Sequence, residues 1–250
     1  MRRHLRIDLA YDGTDFSGWQ VQAKGRTVQG TLEAALFRLQ GDRPVRVNGA
    51  GRTDAGAHAR AQVADAFLET DLGLPELNYA LLRMLPADLR AIRLREVPES
   101  FHARRDAVSK TYRYRLDRSN HGDPFLSRYA LHHPYALDVV AMQEALLRLP
   151  GERDWSAFAG AKCKVKSRVR DLREASFQGE PKEDAYFSFT ANGFLTHMVR
   201  NLVGTLLEVA RGRTSPEQIN RIVASRDRAQ AGPTAPAHGL LLWEIRYPGE

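Results

Sequence analysis

The order of strands and helices along the chain predicts an α+β fold in two ferredoxin-like halves, each a mixed, mainly antiparallel sheet flanked by helices. Three observations carry this prediction. Over residues 3–97 the apolar spacing switches between period 2 and period 3.6 in the order β-α-β-β-α-β, the split ferredoxin-like arrangement. Strands with two-sided helices return after residue 101, without a sequence repeat of fixed period. The chain has 250 residues with 43% hydrophobic and 27% charged content, enough for packed cores without disulfide or metal staples.

Each element has its own local signal. Residues 3–11 place Leu5, Ile7 and Leu9 on one face of a strand. Residues 12–26 hold Asp12-Gly13, Ser17-Gly18 and Gly25 and read as a loop. Residues 28–40 carry Leu32, Ala35, Leu36 and Leu39 at helical spacing. Strands follow at 44–49 and 60–68 around a Gly-rich loop. Pro75 opens a helix over 75–85. A strand over 89–97 closes the first half, although its apolar face is poorly marked. These patterns divide the chain into an N-terminal half, 1–104, and a C-terminal half, 105–250. In the second half a strand at 108–116 places Val108, Tyr112, Tyr114 and Leu116 on one face. Helices are predicted at 138–148, 194–210 and 216–224. Strands are predicted at 165–177 and 184–191, paired across Gly179-Glu180-Pro181-Lys182, and at 240–247. In the 194–210 helix, Leu195, Met198, Val199, Leu202, Leu206 and Val209 form an apolar stripe, with His197, Arg200, Asn201 and Gly204 off it.

Composition excludes several function classes. One cysteine, Cys163, forbids an internal disulfide framework and a Cys-rich zinc site. No stretch approaches the ~20 apolar residues of a membrane span. The opening Met1-Arg2-Arg3-His4-Leu5-Arg6-Ile7-Asp8 alternates polar and apolar residues, unlike a signal peptide. The expectation is a cytoplasmic protein. No nucleotide fingerprint survives: the third glycine of a G-x-G-x-x-G begun at Gly49 would fall on Asp54. His121, His132 and His133 lack carboxylates at ligand spacing and read as loop or surface histidines.

Charge points in one direction without deciding it. Lys plus Arg number 37 against 30 Asp plus Glu, a net +7, and 31 of those cations are Arg. That balance suits an acidic partner such as nucleic acid, and equally a solvated basic surface. Locally, Lys162, Lys164, Lys166, Arg168 and Arg170 fall on every second position. On a strand they would share one face, with Cys163, Val165 and Val169 on the other. The two readings are a phosphate-backbone surface and an edge strand kept basic against aggregation. A second run, Arg104, Arg105, Lys110, Arg113 and Arg115, interleaves with Phe101, Tyr112 and Tyr114, as suits RNA with stackable bases.

Chemistry concentrates at Gly49-Ala50-Gly51-Arg52-Thr53-Asp54-Ala55-Gly56-Ala57-His58. So lean a loop lets a large planar substrate approach the backbone. Asp54 at its centre fits a turn aspartate and a catalytic carboxylate alike.

Six segments spread in order over most of the chain carry a family resemblance: YDGTDFSGWQVQ (11–22), TVQGTLEAAL (27–36), GRTDAGAHA (51–59), SKTYRYRL (109–116), HMVRNLVGTLLEVARG (197–212) and TAPAHGLLL (234–242). Together they resemble the TruA family of tRNA pseudouridine synthases. The clearest departure is Ala57, where the family more often has Val. The resemblance implies the pseudouridine synthase fold, with RRM-like halves, and conversion of uridine to pseudouridine at positions 38, 39 and 40 of the tRNA anticodon stem-loop. The C1′–N1 bond breaks, the uracil rotates and C5 joins C1′, an isomerisation that needs no cofactor and no metal. It also implies a homodimer holding tRNA.

By the same resemblance Asp54 is the catalytic carboxylate, attacking C1′ or assisting departure of the uracil through a glycal. A dry pocket would raise its pKa, so a cation is needed, and the HMVRN helix supplies Arg200. Tyr112 stacks on the uracil and could also move a proton at C5. Arg52 holds the flipped nucleotide or fills the space it leaves. Leu240 closes the uracil pocket. His58 and Lys110 are expected RNA contacts, as are Lys162, Lys164, Lys166, Arg168 and Arg170. A non-catalytic RNA-binding protein on the same scaffold is the competing class, and the two differ at Asp54.

Overall fold

The computed structural model describes residues 1–161, 163–179 and 185–250. It forms two compact units, Met1–Val108 with Leu242–Glu250, and Ser109–Leu241.

The first unit runs β1 (Arg2–Tyr11), α1 (Val28–Leu39), β2 (Val47–Gly49), β3 (His58–Glu69), α2 (Leu74–Met84) and β4 (Leu89–Glu96). The antiparallel strand order is β4-β1-β3, with β2 also on β3. The core is the one the periodicities predict. Leu5, Ile7, Leu9, Leu32, Leu36, Leu77 and Leu81 are all at most 1% exposed. Burial of each contributes about 1.5–3 kcal/mol relative to exposure. The Thr27 hydroxyl caps α1 by accepting the Gly30 N–H at 3.2 Å. Pro75 sits at the start of α2, where its missing N–H costs nothing.

The weak apolar mark of β4 has a mechanical cause. Asp8 pairs with Arg93 and Leu9 with Ala91, so Ile92 is an extra residue in the ladder. A bulge flips the parity of every side chain beyond it. Leu89 and Leu94 are therefore both buried despite opposite parity, and Ile92 is exposed. The other face of β1 is polar, yet His4 and Arg6 are buried. Arg6 donates to Asp8 (2.8 Å) and Glu250 (2.7 Å), and Arg95 pairs with the same two carboxylates. The Arg6 guanidinium also lies over the Tyr247 ring, 4.4 Å from its centroid.

The second unit contains β5 (Ser109–Asp117), β6 (Leu131–His132), α3 (Val139–Leu147), β7 (Gly151–Asp154), β8 (Val169–Gln178), β9 (Ala185–Ala191), α4 (Met198–Ala210) and α5 (Gln218–Ser225). Its strand order is β5-β9-β8-β7, antiparallel, with the short β6 parallel to β5. The last strand, β10 (Leu240–Arg246), starts in this unit and ends in the first. The mixed, mainly antiparallel α+β class is thus as expected, and β8 does pair with β9.

Several local expectations are corrected. The basic segment is not a strand: residues 163–168 are irregular and β8 begins only at Val169. Val165 and Val169 are exposed, and Cys163 alone is buried. With one buried apolar side chain, nothing drives the alternation into a ladder; the segment instead returns to the Trp155 N–H through the Arg168 carbonyl. Lys162 and Glu180–Lys182 lie outside the described residues. The strand expected at 44–49 shortens to β2. Helix α4 starts at Met198 rather than 194 because His197 has φ 60°, a left-handed conformation that cannot continue a helix backwards. Both β6 and β7 went unpredicted: one has two residues, the other reads Gly-Glu-Arg-Asp with no apolar face. Val108 precedes β5 and is exposed, so it leaves the Tyr112 face. His133 is buried, with Nδ1 3.2 Å from Arg118 Nη1, rather than on the surface.

Candidate active site

The Asp54 loop joins β2 to β3, and a second loop, 12–19, encloses it. Trp19 N–H donates to the Thr53 carbonyl at 3.1 Å, and Gly56 N–H to the Phe16 carbonyl at 3.2 Å. The Asp54 carbonyl accepts the Ala57 N–H at 3.1 Å, which closes a tight turn. Gly13 is required by approach: a Cβ there would lie 1.9 Å from the Ala57 carbonyl oxygen. From below, Tyr11 Oη meets Thr53 Oγ1 at 2.8 Å, and Gln62 Nε2 donates to the Gly51 carbonyl at 3.0 Å. Burial pushes the Tyr11 phenol up to about 12, against the opposing hydrogen bonds of Thr53 and Gln62, so it stays neutral at working pH. Ala50 and Ala57 are buried and Asp54 is half-buried. The carboxylate is thus carried on a turn whose backbone is held from both sides.

The other predicted residues of this loop separate. Arg52 is exposed, and its Nε donates to Gln20 Oε1 at 3.1 Å. His58 is buried rather than presented to solvent. Its Nδ1 accepts the Gly13 N–H at 3.0 Å and lies 3.1 Å from Asp12 Oδ1.

In the second unit, Tyr112 and Tyr114 share one face of β5 and are buried. The Tyr112 ring stands edge-on to Phe194, with centroids 5.1 Å apart. The segment 232–236 lies along α4 as a strap. Arg200 Nε donates to the Ala235 carbonyl at 2.7 Å, and the Ala235 N–H returns to the Arg200 carbonyl at 3.1 Å. Tyr114 Oη donates to the next carbonyl, Pro236, at 2.9 Å. Burial raises the Tyr114 phenol, with the Arg200 charge pulling the other way. Leu240, where the strap enters β10, is 5% exposed. Lys110 is also buried, whereas Lys164, Lys166 and Arg168 are exposed and Arg170 is half-buried.

The architecture explains α4. The residues off its apolar stripe, Asn201 and Gly204, are as buried as those on it because the strap covers them. A Cβ on Gly204 would lie 1.7 Å from the Pro233 carbonyl oxygen. Of the whole helix only Arg200 and Glu208 remain half-buried. A helix so enclosed can hold Arg200 in one place.

A family model described as tRNA pseudouridine synthase matches residues 9–106 and 145–248, so it takes in the Asp54 loop, α4 and the strap. The chain belongs to this family. It is 44% identical to the tRNA pseudouridine synthase A of Halalkalibacterium halodurans over 96% of this chain and 90% of that protein. It is 44% identical to that of Brevibacillus brevis, over 98% of this chain and all of the relative, and 42% identical to that of Listeria monocytogenes, over 99% and 100%. Membership makes the protein an enzyme, an isomerase acting on uridine in tRNA.

Residues that the sequence analysis gave no site role hold the Asp54 loop and the strap. Tyr11, Trp19 and Gln62 hold the Asp54 loop, and Asn201, Thr205, Arg228 and Thr234 hold the strap. Tyr11 and Trp19 lie inside the YDGTDFSGWQVQ segment, which reads as a loop in isolation. Asn201 sits beside Arg200 in HMVRN, and the cue available was an amide on the wrong side of an apolar stripe. Arg228 lies in no segment of the resemblance.

Proposed function

We propose that this enzyme converts uridine to pseudouridine at positions 38, 39 and 40 of the tRNA anticodon stem-loop, with Asp54 as the catalytic carboxylate. The observation that carries the reading is the Asp54 turn itself: a half-buried carboxylate on a backbone pinned by Trp19, Phe16, Tyr11 and Gln62. Preorganisation of this kind keeps a reacting group in place without reorganisation when the substrate arrives. Asp54 either attacks C1′ of the flipped uridine or assists loss of the uracil, which then rotates so that C5 bonds to C1′. The proton on C5 is lost and N1 takes one up, so the product is an isomer of the substrate and no net oxidation occurs.

The other roles follow from position and chemistry. Tyr112 supplies the stacking surface and Leu240 the apolar wall. Arg200 supplies the cation that faces the carboxylate. Exposed Arg52 occupies or stabilises the space left by the extruded base. Lys164, Lys166 and Arg168, on the irregular segment, contact the phosphate backbone together with Arg170 in β8 and Lys162. His58 and Lys110, both buried, act on RNA only by shaping the site. The enzyme works as a homodimer in the cytoplasm.

The test is release of tritium from C5-labelled uridine in tRNA transcripts, followed by mapping of pseudouridine. Wild-type protein releases tritium and modifies the anticodon arm, and Asp54→Ala abolishes release while retaining salt-sensitive tRNA binding. Turnover by Asp54→Ala would remove the carboxylate role, and modification elsewhere would remove the site assignment.

A further inference from the structure

The strap on α4 is fastened by a polar cluster next to Arg200, built on buried Asn201 and Thr205 with half-buried Arg228 and Thr234. Asn201 is fully buried. Its Nδ2 donates to the Phe158 carbonyl at 2.7 Å. Its Oδ1 accepts twice, from Thr234 Oγ1 at 2.6 Å and from Arg228 Nη2 at 3.1 Å. Arg228 Nη2 also reaches Thr234 Oγ1 at 3.0 Å, and Nη1 donates to the Ala231 carbonyl at 3.1 Å. One turn further along, Thr205 Oγ1 accepts the Gly232 N–H at 2.9 Å. The cluster runs in register with the helix: Ala235 sits on Arg200, Thr234 on Asn201, Pro233 on Gly204 and Gly232 on Thr205.

We propose that Arg228 is a positioning residue, whose guanidinium locks the Asn201–Thr234 pair and thereby fixes the Ala235 carbonyl that orients Arg200. The argument rests on donor and acceptor counts. Asn201 Oδ1 faces a donor guanidinium, so the amide has one permitted orientation. In that orientation Thr234 must turn its hydroxyl proton toward Asn201, which leaves its lone pairs to Arg228. Removing Arg228 leaves the amide oriented by the Phe158 carbonyl but takes away the donor shared by Asn201 Oδ1 and the Thr234 hydroxyl. The hydroxyl can then rotate, and the next residue on the strap is the one that holds Arg200 Nε. Only Arg supplies this geometry, because its planar fork serves three acceptors at once and a Lys ammonium cannot. The Asp227 side chain supports the placement by accepting the Ala229 N–H at 2.9 Å, which caps the short turn Arg228–Gln230.

This inference rests on the proposed role of Arg200, and the experiment separates the two. Tritium release under single-turnover conditions is measured for wild-type protein, Arg200→Ala, Arg228→Ala, Arg228→Lys, Thr234→Val and the Arg200→Ala/Arg228→Ala double variant, with KM and thermal unfolding alongside. Arg228→Ala should slow the chemical step roughly 10- to 100-fold, the scale of a small misplacement at a reacting group, with KM changed less than about threefold. Arg228→Lys should not restore the rate, and Thr234→Val should slow it in the same sense by a smaller factor. The decisive reading is non-additivity: the double variant should be no slower than Arg200→Ala alone. A purely structural Arg228 would multiply the two losses. Wild-type rates in Arg228→Ala with a slow Arg200→Ala would overturn this inference alone, whereas wild-type rates in Arg200→Ala would overturn the role of Arg200 as well. Should Arg228→Ala fail to fold, Thr234→Val decides, since only a hydroxyl is lost and the cluster keeps its volume.

Discussion

The Asp54 turn and the Arg200 strap solve the same problem with different materials. Both hold a charged side chain on a fixed backbone. The turn does so mainly with main-chain hydrogen bonds from a neighbouring loop and with small residues that allow close approach. The strap does so with side-chain donors and acceptors gathered on the buried Asn201. Main-chain bonds tolerate changes of side chain but not of Cβ, whereas a side-chain cluster depends on the identity of each member. The two regions should therefore break in different ways.

The largest effect is expected at Gly204. Alanine there collides with the Pro233 carbonyl inside a helix that is buried on all sides. Denaturant unfolding should show a loss of about 3 kcal/mol or more. Gly13→Ala meets a similar obstacle, the Ala57 carbonyl, but in a loop rather than inside a packed helix. Tritium release should fall roughly 100-fold while the unfolding midpoint moves little. If Gly13→Ala instead lost stability and kept its activity, the contrast between the regions would be void.

Two smaller changes sharpen the comparison. Tyr11→Phe removes the bond to Thr53 Oγ1. The cost should be about 1 kcal/mol in unfolding experiments. Because the phenol is held neutral, that cost should be the same at pH 6 and pH 9. Glu250→Gln should act at neutral pH and lose its effect in acid. Burial opposes its ionisation, but Arg6 and then Arg95 outweigh burial and keep its carboxyl below the ordinary glutamate value. A depressed carboxylate stabilises the fold above its unfolded pKa, and that contribution is lost as pH falls through the folded value. Stability of the variant should thus match wild type in strong acid and fall slightly short at neutral pH. The gap is kept small by solvent screening. Equal pH profiles for the two proteins would remove Glu250 from the account.

The sequence made the first region far more legible than the second. The lean loop around Asp54 is contiguous, so its small residues and its carboxylate announce themselves together. The strap cluster draws Phe158, Asn201, Arg228 and Thr234 from separate segments, and each is unremarkable in its own window. The same contrast holds for the fold. Strands and helices with an apolar period, such as β1, α1 and α2, were readable, whereas the bulge at Ile92 hid the period of β4. The basic run misled for the opposite reason: charges alternated with period 2, but of Cys163, Val165 and Val169 between them only Cys163 is buried.

The closing strand carries a consequence for how the protein is made. Leu242–Glu250 belongs to the unit that contains the chain's first residues, and its contacts there are specific. Arg246 accepts the Val108 N–H at 2.8 Å, Tyr247 donates to the Ala103 carbonyl at 2.6 Å, and Glu250 pairs with Arg6. A chain leaving the ribosome from its N-terminus cannot complete this unit in order of synthesis. The first part made must wait, with the Arg6 face of β1 short of its final cover, until Leu242–Glu250 arrives. Assembly of the Asp54 half is thereby timed to the synthesis of Leu242–Glu250, with the Ser109–Leu241 unit already free to form.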